Sequence, residues 1–371
     1  MPGRPSVRPE PISKARKGMY ILFAILLFSL LIFVHELGHF VAAKLSGVQV
    51  NEFAMFMGPA IFKKQIGQTL YSIRCIPFGG YCAMEGEDGE SDNPHAFGHA
   101  AWWKRLIILS AGAAMNFVTG LILLTIVFAP QKEYVVPVIS GYEQGCTLIG
   151  EDGLQVGDKI LSVDGENIYV FGDFSMILSL NPGDVHDLVV LRDGEKVALD
   201  QFSMKKASFP NEDGTSTERY GFSFSVQTAT PGFTIQYIWN SAVDMVRTVR
   251  LSLQMLFTGK AGIRDVSGPV GIVQQVSEVA QTSRNTREAI LNVLYYGALI
   301  AINLAVMNML PIPALDGGRV FSLLITTVIQ AITHKKVNPK YEAYIHAAGM
   351  VLLLILMAVI LFKDVFVIFK G

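Results

Sequence analysis

The sequence has few cysteines and few charged residues for its length of 371 residues. Its three cysteines, Cys75, Cys82 and Cys146, lack the spacing of metal ligands, which argues against a disulfide framework and a cysteine-rich zinc site. Only 16% of the residues are charged and the formal net charge is -1, without the basic patch that nucleic-acid binding needs. Apolar residues make up 51% of the chain and the mean hydropathy is +0.41, which is typical of a membrane protein.

Long apolar segments identify a multi-pass α-helical membrane protein with four transmembrane helices. A helix needs about 20 mostly apolar residues to cross a bilayer. Pro311 and Pro313 interrupt the third such segment near its end, and a shorter apolar run, residues 320–333, is predicted to continue it as a second, tilted helix. The four predicted spans are residues 19–43, 106–131, 289–315 and 343–362.

Basic residues in short loops predict the side of the membrane that each loop faces. A lysine-rich loop lies between the last two spans and Lys104-Arg105 begins the second, so both loops are predicted to be cytoplasmic. The region between the second and third spans then faces outward, and its residues 133–229 contain 16 acidic and 6 basic side chains. Basic residues within 1–18 favour a cytoplasmic N-terminus instead, but this proline-rich segment is predicted to be a disordered tail. The loop lysines are Lys335, Lys336 and Lys340.

A metal-binding motif, His35-Glu36-Leu37-Gly38-His39, lies inside the first predicted span. Histidines four residues apart on a helix project from one face, so His35 and His39 can bind one metal ion. A zinc ion lowers the pKa of its bound water, and Glu36 is placed to take that proton and pass it to the leaving amine. The alternative is a buried polar cluster that joins helices, but ionisable groups inside a span are costly and tend to be functional.

Asp316 is the candidate for the third protein ligand that catalytic zinc requires. It is the only acidic residue between Glu288 and Glu342, and it follows the break that Pro311 and Pro313 make at membrane depth. Irregular backbone at that depth must line a cavity or be buried in protein. The alternative is that Asp316 caps the helix that begins near it, and the two roles are compatible.

The two motifs together resemble those of the site-2 protease family, the intramembrane zinc metalloproteases, and within it the single-PDZ branch of the bacterial regulators of sigma-E. His35-Glu36-Leu37-Gly38-His39 is similar to the metal motif of the family, and Leu315-Asp316-Gly317 to its second motif. The resemblance covers nearly the whole chain from Met19 onward. It implies Zn²⁺ as the cofactor, His35, His39 and Asp316 as its ligands, and Glu36 as the catalytic base.

Further segments resemble the substrate-binding parts of the family. Phe78-Gly79-Gly80-Tyr81 resembles a membrane-reentrant β-hairpin in the first loop, which could offer an edge strand to an unwound substrate, although an amphipathic loop is the alternative. Asn308 begins an Asn-x-x-Pro-x-Pro-x-Leu-Asp-Gly pattern, and Gly112-Ala113-Ala114-Met115-Asn116 resembles Gly-Pro-x-x-Asn with Ala113 in place of proline. For Asn116, hydrogen bonding between helices is an equal alternative. The resemblance implies substrate-binding roles for Gly79, Gly80, Tyr81, Asn116 and Asn308.

The outward region, residues 132–229, is predicted to be β-rich. Residues 153–165 alternate apolar positions between turns, as a strand pair would, and resemble the signature of PDZ domains in membrane proteases. The resemblance implies one PDZ domain that admits substrates already shortened outside; a structural cap without a peptide ligand is the alternative. Residues 230–287 are predicted to form an amphipathic helix and a connecting loop, while residues 19–131 and 288–371 hold the first and last pairs of spans.

The sequence therefore predicts a zinc endopeptidase of the bacterial inner or plasma membrane, with its active site toward the cytoplasm and its PDZ domain outside. The expected partners are the lipid bilayer and single-pass membrane substrates, an anti-sigma factor or a signal peptide remnant, cut after a first extracytoplasmic cleavage. No nucleic acid is expected, and no oligomeric state is predicted. The competing hypotheses are a catalytically silent membrane PDZ scaffold, which the intact motif residues disfavour, and a metal transporter, which would need more polar groups along the spans.

Overall fold

The computed structural model describes residues 14–87, 89, 91–151, 153–211, 215–262, 268–283, 285–334 and 339–370. The chain divides into two compact units, one formed by Met1–Val127 with Met245–Gly371 and the other by Phe128–Asp244. The helices are α1 (Lys14–Ser46), α2 (Trp102–Phe128), α3 (Phe171–Leu180), α4 (Pro231–Phe257), α5 (Pro269–Thr282), α6 (Thr286–Asn308), α7 (Asp316–Thr333) and α8 (Pro339–Lys370). The strands are β1 (Val50–Ile66), β2 (Thr69–Met84), β3 (Glu133–Tyr142), β4 (Lys159–Val163), β5 (Glu166–Asn167), β6 (Val185–Arg192), β7 (Glu195–Ser203), β8 (Ala207–Pro210), β9 (Ser216–Arg219) and β10 (Phe222–Thr228).

Four helices of the described residues are long and apolar enough to cross a membrane, which confirms the predicted number of spans. The segments are Leu22–Ser46, Trp102–Phe128, Thr286–Asn308 and Tyr344–Asp364. The third span ends at Asn308 and not at residue 315, because the chain between α6 and α7 carries Pro311 and Pro313 and cannot continue as a helix. The helix predicted at residues 320–333 is α7, which begins four residues earlier.

The N-terminal boundary differs from the prediction. α1 begins at Lys14, so residues 14–18, which were expected in a disordered tail, are helical. The last proline of the tail is Pro11, and Gly18 is the only helix-breaking residue between it and the apolar run that begins at Met19, so the helix can start before that run. Residues 1–13, with the prolines of the tail and its basic residues Arg4 and Arg8, lie outside the described residues, as do Lys335 and Lys336 of the lysine-rich loop.

The first loop forms a β-hairpin of β1 and β2 that folds back on itself. Residues 52–55 of β1 pair with residues 80–83 of β2 and also with residues 70–73. The chain can double over in this way because Phe56 and Gly58 adopt positive φ angles of 70° and 84°. Residues 80–83 thus form an edge of the sheet, and the structure gives that edge no further strand partner among the described residues.

The core of the first unit joins the hairpin to α1, α2 and α7. Ala43, Val50, Ile108 and Leu323 come from these four elements and are almost completely buried in one cluster. α1 and α2 approach closely at Gly38, where a Cβ atom would lie 2.4 Å from the carbonyl oxygen of Ala111. The close crossing of these two helices fixes the part of α1 that carries the histidines.

Residues 269–282, expected to lie in a connecting loop, form the helix α5 instead. Pro269 occupies its first turn, where the missing N–H costs nothing. Its apolar side is covered, because Val276 is buried together with Ala24 and Leu27 of α1 and with Ala289 and Val293 of α6. The amphipathic helix predicted within residues 230–260 is α4.

The second unit is β-rich, as predicted for the region between the second and third spans. Its main sheet has the strand order β10-β3-β4-β6-β7, β5 pairs with β4, and β8 and β9 form a separate pair. Residues 153–165 contain one strand, β4, and not the expected strand pair. Residues 153–158 form a loop because the buried carboxylate of Asp158 accepts hydrogen bonds from the backbone N–H of Gln155 and from Arg192.

Candidate metal centre

The two histidines of the motif lie one turn apart on the buried side of α1. His35 and His39 are 9% and 7% exposed. Their Nε2 atoms are 3.2 Å apart, so both rings direct the same nitrogen to one point. The helical spacing of the motif produces this arrangement, as predicted from the sequence.

Asp316 is the first residue of α7 and points its carboxylate at the same place. Its Oδ2 atom lies 3.0 Å from Nε2 of His35 and 3.2 Å from Nε2 of His39. Leu315, not Asp316, occupies the cap position of α7, so Asp316 is not the helix cap, and its carboxylate contacts the histidine pair from the first turn.

The loop before Asp316 folds tightly over the start of α7, and two glycines make this possible. A Cβ atom at Gly317 would lie 2.3 Å from the carbonyl carbon of Met309, and one at Gly318 would lie 2.2 Å from the carbonyl oxygen of Ile312. Any side chain at these positions would push the loop away from the helix. The Leu-Asp-Gly motif therefore combines a candidate metal ligand with the glycine that lets its carboxylate reach the histidines.

The three donor atoms fit a tetrahedral zinc ion. Ligands about 2.0–2.1 Å from such an ion lie about 3.3 Å from one another, close to the observed separations of 3.0–3.2 Å. His39 supports the same assignment, because its Nδ1–H donates to the carbonyl oxygen of Ile108 at 2.8 Å and leaves the Nε2 lone pair free for a metal. Two imidazoles and one carboxylate also match the ligand set of catalytic zinc, which keeps a fourth position open.

α2 closes the site on one side through Gly112. A Cβ atom there would lie 2.3 Å from Nε2 of His39 and 2.8 Å from Nε2 of His35. The backbone of α2 therefore lies directly against the two ligand atoms, and only glycine leaves them their space. In the sequence, Gly112 was marked only as a glycine inside an apolar predicted span and as the first residue of the motif that ends at Asn116, and neither feature predicted this contact.

Glu36 borders a cavity of about 280 Å³, which His35 and Asp316 also line. One part of the wall is polar and carries the carboxylate of Glu36. The rest of the cavity wall is apolar, and the sequence analysis did not predict these apolar lining residues. The cavity is lined by Ile32, His35, Glu36, Asn116, Leu304, Asn308, Ala314, Leu315 and Asp316.

Both asparagines with predicted substrate roles lie at this cavity and near His35. The Nδ2 atoms of Asn116 and Asn308 are 3.3 Å and 3.5 Å from Nδ1 of His35. Asn116 is 1% exposed, whereas Asn308 is the last residue of α6, where the chain leaves the helix. The structure thus brings both residues to the site at different depths.

The hairpin reaches the site through Gly80. A Cβ atom on Gly80 would lie 3.6 Å from Cγ of Glu36, and the hydroxyl of Ser29 donates to the carbonyl oxygen of Pro77 at 2.7 Å, which holds β2 against α1. Gly79 has a φ angle of 82° and neighbours Met57, and neither Gly79 nor Tyr81 lines the cavity.

The Tyr81 side chain belongs to a polar network inside the hairpin. Its hydroxyl contacts Arg74, whose guanidinium also donates to Glu52 at 2.8 Å. Burial and the neighbouring Glu52 raise the pKa of Tyr81 to about 12. Burial alone would raise the pKa of Glu52, but hydrogen bonds from Ser72 and Arg74 hold it below its usual range. The network stabilises the sheet whose edge faces Glu36.

The chain is similar to known zinc metalloproteases over almost its full length. The family model described as peptidase family M50 matches residues 23–356. A protein of Clostridium perfringens named as a zinc metalloprotease is 36% identical over 354 residues, which cover 94% of this chain and 98% of that protein. One of Synechocystis sp. is 32% identical over 361 residues, covering 92% and 93%. The regulator of sigma-W protease RasP of Bacillus subtilis is 26% identical over 426 residues, covering 93% and 98%.

These relatives agree with the geometry of the site, since a zinc metalloprotease needs metal-ligating side chains of the kind that α1 and α7 bring together. Zn²⁺ is the cofactor, and the apolar helices place the enzyme in a membrane. The chain belongs to peptidase family M50, the site-2 protease family of membrane zinc metalloproteases.

Proposed function

We propose that the chain is an intramembrane endopeptidase that carries out regulated proteolysis of single-pass membrane proteins. The observation that carries the proposal is the meeting of His35, His39 and Asp316 beside Glu36 and a cavity, on helices apolar enough to span a membrane. The proposed substrates are an anti-sigma factor or a signal peptide remnant, cut after a first cleavage outside. The similarity to a protein named regulator of sigma-W protease supports the first of these.

The proposed chemistry assigns each polar group a separate role. His35, His39 and Asp316 hold the zinc ion, which when bound acidifies a water molecule and polarises the scissile carbonyl. Glu36 accepts the proton of the attacking water and delivers it to the amide nitrogen that leaves. Because Glu36 lines the cavity without being a ligand, its carboxylate is free to make both transfers.

An extended substrate segment is proposed to pair with the hairpin edge at residues 80–83. Helical substrates hide their carbonyl groups, so the segment to be cut must unwind, and an unpaired strand edge beside Glu36 can take up its backbone hydrogen bonds. Gly79, Gly80 and Tyr81 supply backbone at this edge, and the Asn308 amide extends toward the peptide from α6.

The hairpin is further proposed to enter the membrane, with the active site toward the cytoplasmic side. Its far half exposes Ile61, Phe62 and Ile66, which suits contact with lipid. Exposed Trp102 and Trp103 beside Lys104 and Arg105 at the start of α2 suit a cytoplasmic membrane interface.

The second unit is proposed to be a single PDZ domain outside the membrane that admits substrates shortened by the first cut. The support is its acidic composition, the helix α3 and the strand β10 at an edge of the sheet. Phe171 and Phe174 of α3 pack against Phe224 of β10, at ring distances of 5.0 Å and 5.5 Å, so this helix and this edge lie side by side. Such a pair can bind a peptide as an added strand.

The test is cleavage of a model single-pass substrate by the purified Glu36→Gln variant. Losing a general base lowers proteolysis by about a hundredfold or more. Glutamine keeps the size of the side chain, and Glu36 is not a ligand, so the zinc content is expected to equal that of the unchanged protein. Undiminished zinc-dependent cleavage by Glu36→Gln would refute the assigned role.

A further inference from the structure

Asn116 lines the cavity and also lies against His35 of the candidate metal centre. It follows Gly112 by one turn of α2, and Gly112 is the residue whose backbone touches both histidine rings. Asn116 is also almost completely buried, at 1% exposure. Its amide is therefore packed behind His35, on the same helix face that closes the site.

The two histidines differ in the hydrogen-bond partner of Nδ1, the ring nitrogen that faces away from the metal position. A histidine that binds zinc through Nε2 carries its proton on Nδ1, and that N–H needs an acceptor to fix the ring. For His39 the acceptor is the carbonyl oxygen of Ile108. His35 has no backbone carbonyl in this role among the described residues, and its Nδ1 faces only the amides of Asn116 and Asn308.

The amide of Asn116 can supply the missing hydrogen-bond acceptor. In the structure its Nδ2 atom faces His35, while its Oδ1 atom is buried without a hydrogen-bond partner among the described residues. Rotating the amide by 180° exchanges the two atoms, which differ only in their hydrogen-bonding role. The oxygen of Asn116 then accepts the Nδ1–H of His35, and Nδ2 of Asn116 no longer faces that N–H as a second donor.

We propose that Asn116 is a positioning residue that accepts the Nδ1–H of His35 and thereby holds its Nε2 lone pair on the zinc ion. The proposal rests on the ligand set given under the proposed function. It also gives the two asparagines of the cavity wall different roles. The nearly fully buried Asn116 orients the ligand, and the amide of Asn308, which is farther from Nδ1 of His35 at 3.5 Å, stays available for the peptide.

The test measures zinc affinity of the purified full-length chain by competition with a chelator, so that it does not depend on catalysis. Asn116→Leu keeps the volume and removes the acceptor, and we expect zinc to bind about 10–100-fold more weakly. Asn116→Asp keeps an acceptor oxygen and removes the amide donors, and its affinity is expected to be at least that of the unchanged chain. Asn116→Ala gives the same loss as the leucine variant should that one fail to fold.

Asn303→Leu is the matched control, because Asn303 is also an asparagine of a predicted span, on α6, and its buried side-chain oxygen forms no hydrogen bond among the described residues, to a histidine or to any other group. Its zinc affinity is expected to be unchanged. Wild-type affinity in Asn116→Leu or Asn116→Ala, or equal losses in Asn116→Asp and Asn116→Leu, would overturn the proposal. His39→Ala distinguishes a failure of the proposed ligand set from a failure of the role of Asn116. If His39→Ala keeps wild-type zinc affinity, the ligand set itself is wrong. If His39→Ala loses zinc affinity and Asn116→Leu does not, only the role of Asn116 is overturned.

Discussion

At the scale of single residues, the candidate metal centre depends on glycines, which lack a side chain, as much as on the side chains that supply its donor atoms. His35, His39 and Asp316 supply donors, but Gly112 and Gly317 decide whether those donors can meet, since a Cβ atom at either position would lie 2.3 Å from a neighbouring atom. The donors could be predicted from their chemistry and spacing. The glycine contacts could not, because they depend on which parts of two distant segments touch.

Gly112→Ala is expected to weaken zinc binding, because the added methyl group would occupy space beside Nε2 of His39. The overpacking also costs stability, by about 1–3 kcal/mol. Zinc content of the purified variant measures the effect. Gly120→Ala is the control: it is on the same helix, its methyl group would clash with Ile302 at 2.6 Å, and it lies away from the ligands. Equal zinc contents in the two variants would contradict this account of Gly112.

At the scale of elements, α8 holds the loop that leads to Asp316. A Cβ atom at Gly349 would lie 2.4 Å from Cβ of Pro313, so the helix and the loop are in direct contact. One turn earlier, Nδ1 of His346 accepts the backbone N–H of Ala314 at 3.2 Å. Ala314 has a φ angle of 80°, a conformation that residues other than glycine rarely adopt, and this hydrogen bond helps to hold it there.

Gly349→Ala is therefore expected to displace the loop and to lower both zinc affinity and proteolysis, although the substituted residue contacts no ligand. The stability cost is about 1–3 kcal/mol, as for other overpacking changes. Chelator competition and substrate cleavage together measure the effect. Ala348→Leu, at an exposed position of the same helix, is expected to leave both unchanged. An unaltered affinity in Gly349→Ala would show that α8 does not position the loop.

At the scale of elements, some helices and strands could be predicted from the sequence and others could not. Four spans and a β-rich region follow from runs of apolar residues and from their alternation, which are local properties. α5 was not predicted because its apolar face is short and is buried only by packing against α1 and α6, which the sequence alone does not show. The double fold of the hairpin was missed because it depends on a turn at Phe56, a residue type that seldom adopts a positive φ angle.

At the scale of the whole molecule, the metal centre joins residues 277 positions apart in the chain. α1 carries two of the proposed ligands and α7 carries the third, so a zinc ion bound there is expected to tie the first and last parts of the first unit together. A ligand that binds only the folded protein stabilises it by about 2.7 kcal/mol when its free concentration is 100 times its dissociation constant. Zinc should accordingly contribute to the stability of the fold as well as to catalysis.

The most direct test of this account is the thermal stability of purified Asp316→Asn with zinc present and after chelation. Asparagine keeps the size of the side chain but removes the carboxylate ligand. The unchanged chain is expected to melt at a lower temperature after chelation and to recover when zinc is returned, whereas Asp316→Asn is expected to hold little zinc and to show no such shift. A variant that keeps its zinc and the full shift would contradict the assembly of the centre from α1 and α7.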